Sequence, residues 1–202
     1  MPELSLPLSK HFTLGDFLRS ATAERDESLE AEQKHPPEEI VLNLQYLVET
    51  ALQPVRGLLG FPVRIMSGYR SPLLNKLVGG SATSQHCRGE AADCQLSPRF
   101  LYDEAMAPVR GEINARVQDL VGRSLRPDVG AAFYLFEHIC LHLNELDVDQ
   151  VIHEYGDGFG RPAWVHVSTS RRRDKRQILA VGSYTNRAYL KPTIEEALAY
   201  GT

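Results

Sequence analysis

Apolar residues recur at helical spacing in one long stretch of the chain: Ile40, Leu44, Leu47, Val48, Ala51 and Leu52 fall on one face of a 3.6-residue repeat. Pro37 and the acidic pair Glu38-Glu39 open that helix, and Gly60-Phe61-Pro62 closes it. Ahead of it, Leu14 to Ser20 reads as a short helix with Thr13 as its N-cap. Ala21 to Lys34 is polar and acidic and reads as partly helical or mobile, up to the break at His35-Pro36-Pro37. Beyond it, Val63 to Ser67 alternates as a strand, Gly68 to Pro72 turns, Leu73 to Val78 fits a short helix, and Gly79-Gly80-Ser81 is a loop. Ala91 to Leu96 is a second strand, with Ala91, Asp93 and Gln95 on one face and Ala92, Cys94 and Leu96 on the other. Pro98 to Val121 predicts one or two helices interrupted near Pro108, and Ala131 to Leu146 a long apolar helix. Gln150 to Tyr155 and Ala163 to Thr169 predict two strands joined by the loop from Gly156 to Gly160. Ile178 to Val181 predicts an edge strand and Thr193 to Tyr200 a terminal helix; no internal repeat is visible.

Helices in long blocks with short, dispersed strands indicate an α+β fold, a small antiparallel sheet with flanking helices, in preference to an alternating α/β one. The chain has 202 residues, 43% hydrophobic and 24% charged, which suits one domain over residues 1–202 with peripheral additions. A net charge of −4 implies no general affinity for polyanions. The one basic cluster, Arg171-Arg172-Arg173-Asp174-Lys175-Arg176, reads as a solvated loop, so no nucleic-acid partner is expected. Three cysteines, Cys87, Cys94 and Cys140, are an odd number and make no disulfide framework, and the lack of a CxxC pair excludes a cysteine zinc knot. Met1 to Phe12 lacks the basic region and apolar run of a signal peptide, and no apolar stretch spans a bilayer. The expectation is therefore synthesis in the cytoplasm as a monomer without a membrane partner, any extracellular substrate being reached after release or delivery.

The candidate chemistry sits in Ser84-Gln85-His86-Cys87-Arg88-Gly89-Glu90-Ala91-Ala92-Asp93, where His86 and Asp93 stand seven residues apart. His166 lies far downstream in Trp164-Val165-His166-Val167-Ser168. Two histidines and a carboxylate are three protein ligands, and three ligands with an open position is how catalytic zinc is held. Asp93 in an otherwise apolar strand is costly to bury unless it is paired or metal-bound. Two strands side by side would aim Asp93 and His166 at one ion. His138 and His142 are four apart on a predicted helix, but the HExxH pattern needs glutamate where Ile139 stands, so they read as helix-face histidines. Cys94 points away from Asp93 into the core, and no base is positioned beside Cys87.

Ser67-Gly68-Tyr69-Arg70-Ser71, Asn75, Val78-Gly79-Gly80-Ser81, Ser84-Gln85-His86, Gly89, Ala92-Asp93 and Trp164-Val165-His166 closely resemble the D-alanyl-D-alanine carboxypeptidase family of zinc peptidases. Phe12-Thr13-Leu14, Ser20-Ala21-Thr22-Ala23 and Leu52-Gln53-Pro54-Val55-Arg56 look like the branch common in bacterial and prophage genomes. The resemblance covers about residues 11–170 and leaves 171–202 as a C-terminal extension. It implies the hedgehog/DD-peptidase fold, one zinc, and hydrolysis of peptidoglycan stem peptides at a D-Ala-D-Ala or an L-Ala-D-Glu bond. His86, Asp93 and His166 would hold an ion of local charge about +1, which lowers the pKa of a bound water. Arg70, with its planar fork, would donate to the substrate carboxylate or the developing oxyanion, and Ser84 would also contact substrate. One position departs from the pattern: an acidic residue three before the last histidine serves as general base in better-known members, and here it is Ala163. Glu154 is the candidate replacement, with Asp157 and His153 as competitors, His153 on the opposite strand face. The rival readings are a weak or inactive zinc-containing module that binds cell-wall peptide, and a structural component of a phage tail.

Overall fold

The computed structural model describes residues 3–156, 160–172, 175–182 and 188–202, and its helices begin where the sequence supplies caps. The Asp16 carboxylate accepts from the Thr13 backbone at 2.8 Å and opens α1 (Leu14–Leu18). Asp26 caps α2 (Glu27–Lys34) by accepting from the amides of Ser28 and Leu29, so the polar stretch before His35 is a built helix after a short 3₁₀ turn, Ala23–Arg25. The amphipathic stretch forms α3 (Glu38–Leu47) and α4 (Gln53–Leu59), continuous through one wide π turn at Val48–Leu52. Pro54 explains that turn. It has no N–H to give the carbonyl of Thr50, which instead accepts from the Asp147 amide at 3.4 Å.

Five strands, β1 (Val63–Ser67), β2 (Ala91–Leu96), β3 (Gln150–Glu154), β4 (Trp164–Ser168) and β5 (Gln177–Val181), pair among the described residues in the order β1-β2-β4-β3-β5. The fold is α+β, with helices flanking the sheet. The sheet is mixed, however: β5 runs parallel to β3, while the other pairings are antiparallel. The chain leaves β4 at the end where β3 begins, so a strand laid on the free edge of β3 must run in the β3 direction. Asp149 fastens that crossover, its backbone bonded to Ser168 and Gln177 and its carboxylate accepting from the Lys175 amide.

The remaining helices are α5 (Pro72–Leu77), α6 (Ala107–Val121), α7 (Ala131–Leu141) and α8 (Ile194–Leu198). Pro108 lies in the first turn of α6, where a missing N–H costs nothing; it starts that helix instead of interrupting it. The apolar stretch from Ala131 stops being helical at Leu141, and His142 to Leu146 form turns that still bury Leu146. Periodicity alone misses this boundary because the turn keeps feeding leucines to the core. Residues beyond 171 contribute β5 and α8, and α8 packs on α6, α7 and β5. Among the described residues no helix is long and apolar enough to cross a membrane.

Strand alternation then sorts the sheet. Ala92, Cys94, Leu96, Val151, Val165 and Val167 are buried on the face covered by α7. Asp93, Gln95, Gln150, Ile152, Glu154, Trp164, His166 and Gln177 share the other face through their register. Helices thus make one side of the sheet a core and leave the other to a groove.

Within the core, Glu137 on α7 is fully buried, and neither carboxyl oxygen has a hydrogen-bond partner among the described residues. Burial holds its pKa well above the ordinary 4.5. A raised carboxyl pKa means the folded state binds the proton more tightly. Its contribution to stability is complete below about pH 4.5 and is lost as the pH rises through the folded-state value. Glu137→Met should therefore raise stability by about 1–3 kcal/mol at neutral pH and flatten the decline toward alkaline pH. Urea unfolding at pH 5 and pH 9 measures both, and a variant less stable at both values would contradict the expectation.

Candidate metal centre and substrate groove

The site is assembled on the loop that follows β1. Gly68 has no room for a side chain: a Cβ there would sit 2.6 Å from the Phe17 backbone, so only glycine lets α1 close on this loop. The Gly68 carbonyl lies 2.7 Å from Nδ1 of His86. With its Nδ1–H donated there, neutral His86 presents the lone pair of Nε2. His86 rides on a 3₁₀ turn, Gln85–Arg88, ended by Gly89 at φ +67°, where a Cβ would meet the Ile40 carbonyl at 2.7 Å. Asp93 and His166 are direct partners across β2 and β4.

These three side chains converge. Nε2 of His86, Nδ1 of His166 and Oδ1 of Asp93 form a triangle with each side 3.2 Å, and all three residues are buried. Burial lowers the His86 pKa despite the adjacent Asp93 charge. Burial opposes ionisation of Asp93, but the neighbouring His86 and His166 outweigh it and hold its pKa well below the usual carboxylate range. Arg70 reinforces this, its guanidinium donating to Oδ2 of Asp93 at 3.1 Å and its Nε–H to Oγ of Ser67 at 3.2 Å. Two ring nitrogens and a carboxylate oxygen therefore converge on one point. A tetrahedral ion about 2.0–2.1 Å from each atom would separate the ligands by about 3.3 Å, so the donor set suits zinc in size and chemistry. Among the described residues this is the one group of three such ligands within mutual reach.

The Peptidase M15 family model matches residues 10–107. Over that segment, a little under half of the chain, the sequence is similar to the Peptidase M15 family. The family comprises zinc metallopeptidases of the D-alanyl-D-alanine carboxypeptidase type acting on cell-wall peptides. No curated protein matches the chain. The matched segment holds Arg70, Ser84, His86 and Asp93; the fold then delivers His166 and Glu154 from beyond it.

The triangle opens on a groove of about 930 Å³ whose lining includes Arg70, Ser84, Glu154, Tyr155, Gln177 and Lys191. Ser84 is half-buried at the head of the His86 turn. Glu154 faces Trp164 across β3 and β4, two register positions along from Ile152 and His166. The Trp164 indole donates to its Oε2 at 2.7 Å. Burial raises the Glu154 pKa, opposed by His166 and Arg70 and reinforced by Asp93, which places it within electrostatic reach of the centre. His153 is on the opposite face, packed against the rings of Phe133, Phe136 and Tyr200. Asp157 lies outside the described residues.

His138 and His142 stack with ring centroids 4.7 Å apart, and His142 is occupied by Arg116 at 3.0 Å and Glu145 at 3.1 Å. Burial raises the thiol pKa of buried Cys94 and of half-buried Cys87. Two supporting residues escape a sequence reading. Gln95 donates its amide to the carbonyl of Ala163, and buried Gln85 donates to Asp149 at 2.9 Å. The placement of Gln95 two residues after Asp93 on the same strand face was the only signal for either.

Proposed function

We propose that this chain is a zinc-dependent peptidase that cuts peptidoglycan stem peptides, of the D-Ala-D-Ala carboxypeptidase or L-Ala-D-Glu endopeptidase type. The observation that carries the reading is the buried 3.2 Å triangle of His86, Asp93 and His166 at the base of a groove lined by Arg70 and Glu154. His86, Asp93 and His166 would hold the ion, which when bound supplies Lewis acidity, polarising a peptide carbonyl and lowering the pKa of water. The Gly68 carbonyl fixes the His86 tautomer and ring orientation. Arg70, anchored by Ser67 and Asp93, aims its remaining N–H groups at a substrate carboxylate or at the oxygen where negative charge develops. Glu154 takes the proton of the attacking water and returns it to the leaving amine, a role its raised pKa and its place in the groove suit. Ser84 contacts the peptide from the groove wall. The cell wall, reached after release or delivery, would be the place of action.

Incubating zinc-loaded protein with purified peptidoglycan fragments, followed by mass spectrometry of the products, tests the reading and identifies the bond. Ala163 in place of the family's acidic residue favours a second reading, a zinc-containing module that binds the same peptides without turnover. Tight binding with intact fragments would select it.

The indole bond to Glu154 gives a finer expectation. It favours the ionised carboxylate, so Trp164→Phe should raise the Glu154 pKa further. A base works only when ionised, so the acid limb of the pH–rate profile should move to higher pH. An unmoved limb would assign that limb to another group.

A further inference from the structure

The segment before His35 has an unexplained investment in polar burial. Gln33, on α2, is 1% exposed, yet it carries an amide. That amide is fully used. Its Nε2 donates to the Tyr69 carbonyl at 2.7 Å and to the Leu18 carbonyl at 3.2 Å, and its Oε1 accepts from the Ser71 N–H at 2.8 Å. Tyr69 and Ser71 are the two residues on either side of Arg70.

We infer that Gln33 is a positioning residue for Arg70, an inference that rests on the peptidase reading above. One buried side chain clamps the backbone on both sides of the arginine and ties it to the end of α1. The Arg70 backbone N–H is held in turn by the His86 carbonyl at 3.2 Å, so the same clamp couples the arginine to the metal-side turn. The guanidinium then has little freedom: Ser67 and Asp93 take two of its donors, and its fork lines the groove. A planar fork is useful to a transition state only when its direction is set in advance, and an error of about 1 Å in placement costs on the order of 100-fold in rate. Asp26 caps the helix that brings Gln33 to this place, and Ser71 Oγ caps α5 immediately beyond the clamp. The N-terminal helices are thus a scaffold for the substrate-facing arginine.

The test uses the full chain loaded with one zinc. Gln33→Met keeps the length and loses all three hydrogen bonds; Gln33→Glu keeps the acceptor for Ser71 and loses the two donations. Both should retain zinc while kcat/KM on peptidoglycan fragments falls by about 10-fold or more. Arg70→Lys should fall by a similar factor. In the Arg70→Lys background, Gln33→Met should cost less than about 2-fold more, because its effect runs through the arginine. Full additivity in that cycle would show a general structural role and overturn the inference. A second measurement needs no turnover: exchange of the Arg70 Nε–H with solvent, followed by NMR, should accelerate in both Gln33 variants. Unchanged exchange would overturn the inference even if the enzyme is active. Accelerated exchange without turnover in the wild type would support the clamp and reject the peptidase reading, so the two failures are distinct.

Discussion

His166→Ala protein should purify with far less than one zinc per chain, its affinity for the ion reduced by more than about 100-fold. Losing a residue that merely supports a ligand already costs about 10–100-fold, and loss of a ligand itself costs more. The geometry explains why His86 and Asp93 cannot compensate. The three ligand atoms are mutually 3.2 Å apart, so removing one leaves a two-point site on a buried strand face. Asp93→Ala should be equally severe, because it removes the only negative charge of the triangle and leaves Arg70 facing two imidazoles without its carboxylate partner. His138→Ala and His142→Ala should keep zinc content unchanged, since His142 is bound to Arg116 and Glu145. Chelator competition with metal analysis measures all four. Full occupancy in the His166→Ala protein would sink the ligand assignment. Removing zinc from the wild type should also lower the unfolding midpoint, because an ion bound only by the folded chain stabilises it by linkage.

Glu154→Gln should bind zinc normally and lose about 10²–10⁴-fold in turnover, the range for removal of a general acid or base. The substitution is nearly isosteric and keeps an oxygen to accept from the Trp164 indole, so the β3–β4 pairing survives. What it removes is a group able to take a proton at neutral pH. Ala163 cannot serve, and its carbonyl is engaged by Gln95. His153 is turned into the aromatic packing of the helix-covered face. Steady-state rates on peptidoglycan fragments, with zinc content measured alongside, decide the matter. Near-normal turnover would clear Glu154 and direct attention to Asp157.

Much of this was legible in order along the chain. The strand limits at Val63, Ser67, Ala91 and Leu96 follow from alternation, and the face shared by Asp93 and Gln95 follows from the two-residue period. The cap at Thr13 and the end of the long helix at Gly60 are equally local, since both depend on a single side chain or a single positive φ. The metal-ligand residue types needed only the spacing of His86 and Asp93 and the tripeptide ending at His166, while the resemblance to a zinc peptidase drew also on the motif around Arg70 and Val78-Gly79-Gly80-Ser81.

The elements that local sequence misread or left open share a cause. Whether β5 lies parallel or antiparallel depends on where the chain leaves β4, which no residue within β5 encodes. Whether Pro108 starts or breaks a helix depends on what precedes it. The polar stretch before His35, left open between partly helical and mobile, carries little apolar periodicity because its helix buries only Leu29 and the Gln33 amide.

Sequence by itself therefore determined the kinds of chemistry available: two imidazoles, a carboxylate, an arginine fork, and a missing acid at Ala163. Tertiary structure alone decided which of them meet. The Asp93–His166 register, the tautomer of His86 set by Gly68, and the approach of Glu154 from the neighbouring strand join residues up to 80 positions apart in the chain. Such contacts are selected by burial of the opposite sheet face against α7, a collective preference that no local stretch of sequence expresses.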